Sequence, residues 1–210
     1  MTDSNHSALL LIVDRSGSME SIRDEMVGSL TTLLRDQAQQ PGLLTVDVVT
    51  FDDRIETTQV QADPSTIEIE LAPRGMTALL DAIGIGVSEF GGRLAALPEH
   101  ARPGTVLVVV ATDGHENAIR EWQPSAIKGL LDQQREQYGW DFVFLGANQD
   151  AITTGASLGF AADSALDFDA DAQAVAPAMA SLSAYVSANR SGRRGSFTQE
   201  DRRNASRRHS

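Results

Sequence analysis

Cysteine is absent from the 210 residues. That excludes disulfides and thiolate metal sites, so any metal must be held by oxygen or histidine ligands. Long apolar runs are absent too. Nothing approaches the roughly 20 residues of a membrane span. The opening segment, "MTDSNHSALLLIVDR", has no basic n-region and no small-residue cleavage site, and its apolar stretch is too short for a secretory signal. These absences lead to the expectation of a cytoplasmic protein away from membranes. There is no internal repeat.

Positive charge is scarce except at the end of the chain. Residues 190–210 hold seven arginines against Glu200 and Asp201. The net charge of −12 is therefore the sum of an acidic body at −17 and a basic tail at +5. An acidic body argues against nucleic-acid binding, except through the tail, and favours cations and basic partners. The tail has few apolar residues and a single aromatic, Phe197. The expectation is a folded unit over residues 1–189 and a disordered Arg-rich tail over 190–210.

What is present alternates between two patterns. "ALLLIV" (8–13), "LLTVDVVTF" (43–51), "TVLVVVAT" (105–112) and "WDFVFLGA" (140–147) read as strands. Helical spacing recurs over 20–38, where Ile22, Met26, Leu30, Leu33 and Leu34 share a face. It recurs over 78–97, despite Gly84 and Gly86, and again over 124–137. A short helix near 150–158, a weak strand near 165–168 and a last helix carrying Val175, Met179, Leu182 and Val186 follow; Pro177 predicts a late start or a kink there. "DDRIETTQV" (52–60) reads as a turn and a short antiparallel edge strand. The fold class expected is α/β: a Rossmann-like open, mostly parallel sheet with one short antiparallel edge strand and helices on both faces.

Two apolar strands stop on polar clusters, "VDRSGS" and "ATDGHEN". In open parallel sheets, ligands bind beyond the carboxyl ends of the strands where strand order reverses. Were those two strands adjacent, Asp14 and Asp113 would face one crevice. Ser16 and Ser18 follow Asp14 at alternate positions, with Gly17 easing the curve. "PRGMTALLD" would add Thr77 from a separate loop. Two carboxylates and three hydroxyls suit a hard cation, Mg²⁺ or Mn²⁺, with Ca²⁺ also compatible.

At these residues the chain resembles the von Willebrand factor A (VWA) domain family, in its bacterial and phage single-domain form. Asp14-Arg15-Ser16-Gly17-Ser18 matches the D-x-S-x-S of the family's metal-ion-dependent adhesion site (MIDAS). Thr77 within "RGMTALLDAI" and Asp113 within "TDG" match its other two pieces, in the family's order. "GWDFVFLGANQD" is a softer likeness. The resemblance implies that Ser16, Ser18 and Thr77 touch the metal directly, while Asp14 and Asp113 act through water or by orienting those hydroxyls. It further implies a non-enzymatic, metal-dependent protein-binding module. Its partner would offer a Glu or Asp carboxylate and could belong to an ATPase-containing or other multi-protein assembly.

Other readings compete. The serines and Thr77 could simply cap helices. A haloacid dehalogenase-type phosphatase also places an aspartate after an apolar strand, but its second acid would stand where this chain has Ser16. A scaffold whose metal only staples loops is a third. "GIGVSEFGG" is no dinucleotide fingerprint, because it follows no strand and lies inside a helical pattern. Asp52 and Asp53 read as a solvated turn. His6, His100 and His209 read as solvent-facing, and His115, Glu116, Asn117, Asn148 and Asp150 as loop or capping residues.

Overall fold

The structure is a computed structural model, and it describes residues 2–114, 118, 121–147 and 151–206. Six strands form one sheet: β1 (Asp3–Asp14), β2 (Leu43–Phe51), β3 (Ile55–Ala62), β4 (Pro103–Thr112), β5 (Asp141–Ala147) and β6 (Ala165–Phe168). Their spatial order is β3-β2-β1-β4-β5-β6. All neighbours run parallel except β2 and β3. The chain winds outward from β1 in one direction to β3 and then in the other to β6. The reversal point therefore falls between β1 and β4, as the sequence reading required.

The central strands are apolar throughout because both of their faces are covered. Along β1, Leu9, Leu11 and Val13 point to one side. There they meet α1 (Arg23–Ala38) and α5 (Ala172–Arg190). Ala8, Leu10 and Ile12 point to the other. Their cover is α2 (Leu79–Ala96), α3 (Pro124–Tyr138) and α4 (Ala151–Leu158). Local signals set the helix ends. Pro124 opens α3, and Gly139, at φ 68, closes it. Asp171 caps α5 by accepting from the amides of Gln173 and Ala174. Pro177 lies inside α5. It falls in the second turn, and the helix continues through it.

Two expectations are corrected. The tail is not free chain over the described part of it. Residues 199–205 form α6 (Gln199–Ala205), started by a capping box between Thr198 and Asp201. Phe197 is buried, with its ring centroid 5.2 Å from that of Tyr185, and Ala205 is buried as well. Arg202 donates to the carbonyls of Ala162 and Ala165, and Arg190 donates to those of Gln37, Pro41 and Gly42. Two arginines that read as solvated charge, Arg190 and Arg202, donate to backbone carbonyls, and one buried aromatic anchors the segment. His6 is likewise buried. Its ring nitrogens face the Ala101 carbonyl at 3.2 Å and the Thr45 hydroxyl at 2.9 Å. The polar start of β1 extends the strand further back than its apolar run, and that carries His6 into the sheet. His100 is exposed, as expected. No helix among the described residues is long and apolar enough to cross a membrane.

Candidate metal centre

β1 and β4 end side by side, and their polar clusters meet. Asp14 is fully buried. Its Oδ1 accepts from the Ser16 amide at 2.7 Å, and its Oδ2 from the Thr112 hydroxyl at 2.5 Å. The first bond curls the chain just past the strand. That curl brings the Ser16 and Ser18 hydroxyls to 3.1 Å from each other. Ser18 then donates to Asp113 Oδ1 at 2.6 Å across the strand gap. Asp14, Ser16, Ser18 and Asp113 are thus joined in one run of hydrogen bonds, through the Ser16 amide and then the two serine hydroxyls.

Thr77 arrives from the loop before α2. The Arg74 amide donates to the Arg15 carbonyl at 2.9 Å, and the Gly17 amide to the Gly75 carbonyl at 3.4 Å. Gly75 sits at φ 68, a conformation glycine adopts without strain. Thr77 is buried, and a Cβ placed on Gly114 would lie only 2.8 Å from its Oγ1. Thr77 therefore packs directly against the residue that follows Asp113. The loop that leaves Asp113 returns to α2, where Asp81 Oδ1 accepts from the amides of Glu121 and Trp122. A Cβ on Gly84 would overlap the Trp122 ring, at 2.1 Å. The glycine that weakens the helical pattern is what allows this indole to lie on the helix.

The serines do not cap a helix. Ser16 precedes the short 3-10 turn Gly17–Ser21 but makes no side-chain cap bond. Ile22, not a serine, precedes α1, and Ala78, not Thr77, precedes α2. Asp52 is also corrected. Far from a solvated turn, it is completely buried, with Arg15 and Arg74 on its carboxylate. Thr112 was missed as well; its one sequence signal is a hydroxyl at the last position of an apolar strand, next to Asp113. His115, Glu116, Asn117, Asn148, Asp150 and His209 lie outside the described residues.

The electrostatics follow from the pairing. Burial pushes the Asp14 carboxyl up to about 6, against the hydrogen bonds from Thr112 and Ser16, and the neighbouring Asp113 charge adds to the rise. Burial also raises Asp113, offset in part by the Ser18 hydroxyl. Arg15, inside the motif, turns away to Asp52 and Glu56. Among the described residues neither Asp14 nor Asp113 has an ion-pair partner. Two carboxylates with hydroxyls around them and no cation at hand are a donor set suited to a hard divalent ion. No group of three or more His, Cys, Asp or Glu side chains is placed to hold a metal among the described residues. Hydroxyls, not further acids, complete this set.

Solved structures share the architecture. The chain is similar to proximal thread matrix protein 1 (PTMP1) from the mussel byssus with a zinc-occupied MIDAS motif. The TM-score is 0.63 and the identity 17%, over 88% of this chain and 47% of that one. It is similar to the ArnB paralog VWA2 from Sulfolobus acidocaldarius, with TM-score 0.55 and 17% identity over 86% and 44%. The D319A mutant of the PilB minor pilin from Streptococcus sanguinis gives 0.59 and 13%, over 87% and 61%. The chain spans about half the length of the first of these structures. No protein-family model matches the sequence, and no curated protein does. At these identities the likeness shows the fold: an α/β, Rossmann-like sheet of the von Willebrand factor A type.

Proposed function

We propose that the chain is a metal-dependent protein-binding module. It would hold Mg²⁺ or Mn²⁺ at the junction of β1 and β4 and engage a Glu or Asp carboxylate of a partner protein. The observation that carries this reading is the hydrogen-bonded run from Asp14 through the Ser16 amide and the Ser16 and Ser18 hydroxyls to Asp113, with Thr77 packed against Gly114 beside it and, among the described residues, no cation paired to either acid. Ser16, Ser18 and Thr77 would hold the ion through neutral hydroxyl oxygens. Asp113 orients the Ser18 hydroxyl, and Asp14 fixes the turn that presents Ser16. When bound, such an ion supplies a Lewis-acidic position that few anionic ligands neutralise, open to an outside carboxylate. A zinc-occupied MIDAS in PTMP1, a protein of the same fold, supports a divalent ion here. The partner would be one component of a multi-protein assembly.

A phosphatase reading is disfavoured by Asp14 itself. Both of its oxygens already accept hydrogen bonds, and none of its surface is exposed. A nucleophile needs an accessible, free oxygen.

Calorimetric titration with Mg²⁺ and Mn²⁺ tests the proposal. Uptake by the wild-type chain, lost in Ser16→Ala and Asp113→Ala variants that melt normally, is the expected result. A wild-type chain that takes up neither ion refutes it.

A further inference from the structure

Asp52 follows β2 directly, beside the end of β1, and none of its surface is exposed. Its Oδ2 accepts from Arg15 Nε at 3.0 Å and from Arg74 Nε at 2.7 Å, and its Oδ1 from the Arg54 amide at 2.7 Å. Its carbonyl accepts from the Ala78 amide at 2.9 Å. Both arginines reach on to Glu56 of β3, Arg15 at 2.8 Å and Arg74 at 3.3 Å. Arg15 stands between Asp14 and Ser16. Arg74 and Ala78 bracket Thr77. Asp52 therefore holds the Thr77 loop from both sides, through Arg74 and Ala78, and the Asp14–Ser18 loop at its start, through Arg15.

We propose that Asp52 is a positioning residue of the candidate metal centre, which holds the Asp14–Ser18 loop and the Thr77 loop in register through a two-arginine clamp. The proposal rests on the metal reading above. The clamp is not an economical source of stability. Buried ion pairs regain their desolvation cost only with complete hydrogen bonding, and the buried Nη2 of Arg15 has no partner. What the clamp secures is geometry: three neutral hydroxyls bind an ion well only when their loops meet at a fixed spacing. It also draws both arginines to the side of β2 away from Asp14 and Asp113, so neither neutralises the site.

β2 contains its own control. Asp47 is equally buried, and accepts from Arg93 Nε at 2.9 Å and from the Gln61 amide at 2.8 Å. It ties β2 to α2 and β3 but touches neither oxygen-bearing loop. The test compares Asp52→Asn with Asp47→Asn by Mn²⁺ calorimetry, thermal melting and amide exchange at Gly17 and Arg74. Both variants should melt lower. Only Asp52→Asn should weaken Mn²⁺ binding, by about tenfold or more, as loss of an orienting outer residue does. Only it should speed exchange of the two amides that join the loops. Arg74→Gln, at a half-exposed position, provides the same comparison should Asp52→Asn fail to fold. Equal Mn²⁺ affinity and equal exchange in the site and control variants would overturn the proposal. A wild-type chain that binds no Mn²⁺ would end the metal reading alone. The exchange rates would still decide the clamp.

Discussion

Asp14 and Asp52 lie at the ends of neighbouring parallel strands, and both are wholly buried. Their circumstances are opposite. Asp14 has hydrogen-bond donors but, among the described residues, no cation, and burial drives its carboxyl up to about 6. For Asp52 burial acts upward as well, but the Arg74 hydrogen bond, the Arg54 amide and the Arg15 charge together outweigh it and hold the carboxyl below the ordinary range. Burial alone does not decide the charge state of a strand-end acid; the placement of cations does. Among the described residues, this rim places Arg15 and Arg74 on one side and leaves the other without a paired cation. The uncompensated side is the one with three hydroxyls around it.

The largest effect should come from removing the uncompensated charge. With its folded value above the unfolded one, Asp14 keeps a proton between about pH 4 and 6 that the unfolded chain has lost. This group therefore adds stability at the acid end of the window, and raising the pH through it takes stability away. The loss by pH 7 is on the order of 2–3 kcal/mol without metal. Asp14→Asn removes that slope. The amide can donate to Thr112 Oγ1, whose own hydroxyl already reaches the Gly114 carbonyl at 3.2 Å. In chelator at pH 7 the variant should melt above wild type, and Mn²⁺ should no longer raise its melting point. A variant that melts lower, or still responds to Mn²⁺, would show that Asp14 has a counter-charge after all.

A smaller effect is expected where the two loops touch. Gly114→Ala puts a methyl 2.8 Å from the Thr77 hydroxyl, so Thr77 must move. The cost should be about 1 kcal/mol in denaturant unfolding, typical of overpacking. Mn²⁺ affinity should fall along with it, which separates a misplaced hydroxyl from simple strain. The smallest effect belongs to the outer end of the compensated side. Glu56 is about half exposed, so Glu56→Gln should barely shift the melting point and leave Mn²⁺ uptake unchanged. A large loss there would move the centre of the clamp from Asp52 to Glu56.

The residue types of the candidate site were legible because their signals are local. An apolar run that stops on Asp14 marks a strand end, and alternate serines with an intervening glycine mark a turn that can present both hydroxyls. Thr77 was readable only in combination with those pieces, since a lone threonine before a helix is most often a cap. Asp52 was not readable, because what distinguishes it from a solvated aspartate is a pair of arginines, one 37 residues before it and the other 22 after it. The same reason hid the tail. Arg190 and Arg202 find carbonyls 148–153 and 37–40 residues away, and Phe197 finds Tyr185.

The sequence by itself determined the alternation of strands and helices, the parallel sheet with its polar antiparallel edge, and the chemical type of the oxygen cluster. These rest on periodicity and on residue type, which neighbouring residues carry. Only the tertiary structure decided which acids are paired with cations, which polar side chains are buried, and how the Thr77 loop meets the Asp14–Ser18 turn. Those outcomes depend on desolvation and on contacts between distant segments, and no local pattern encodes either.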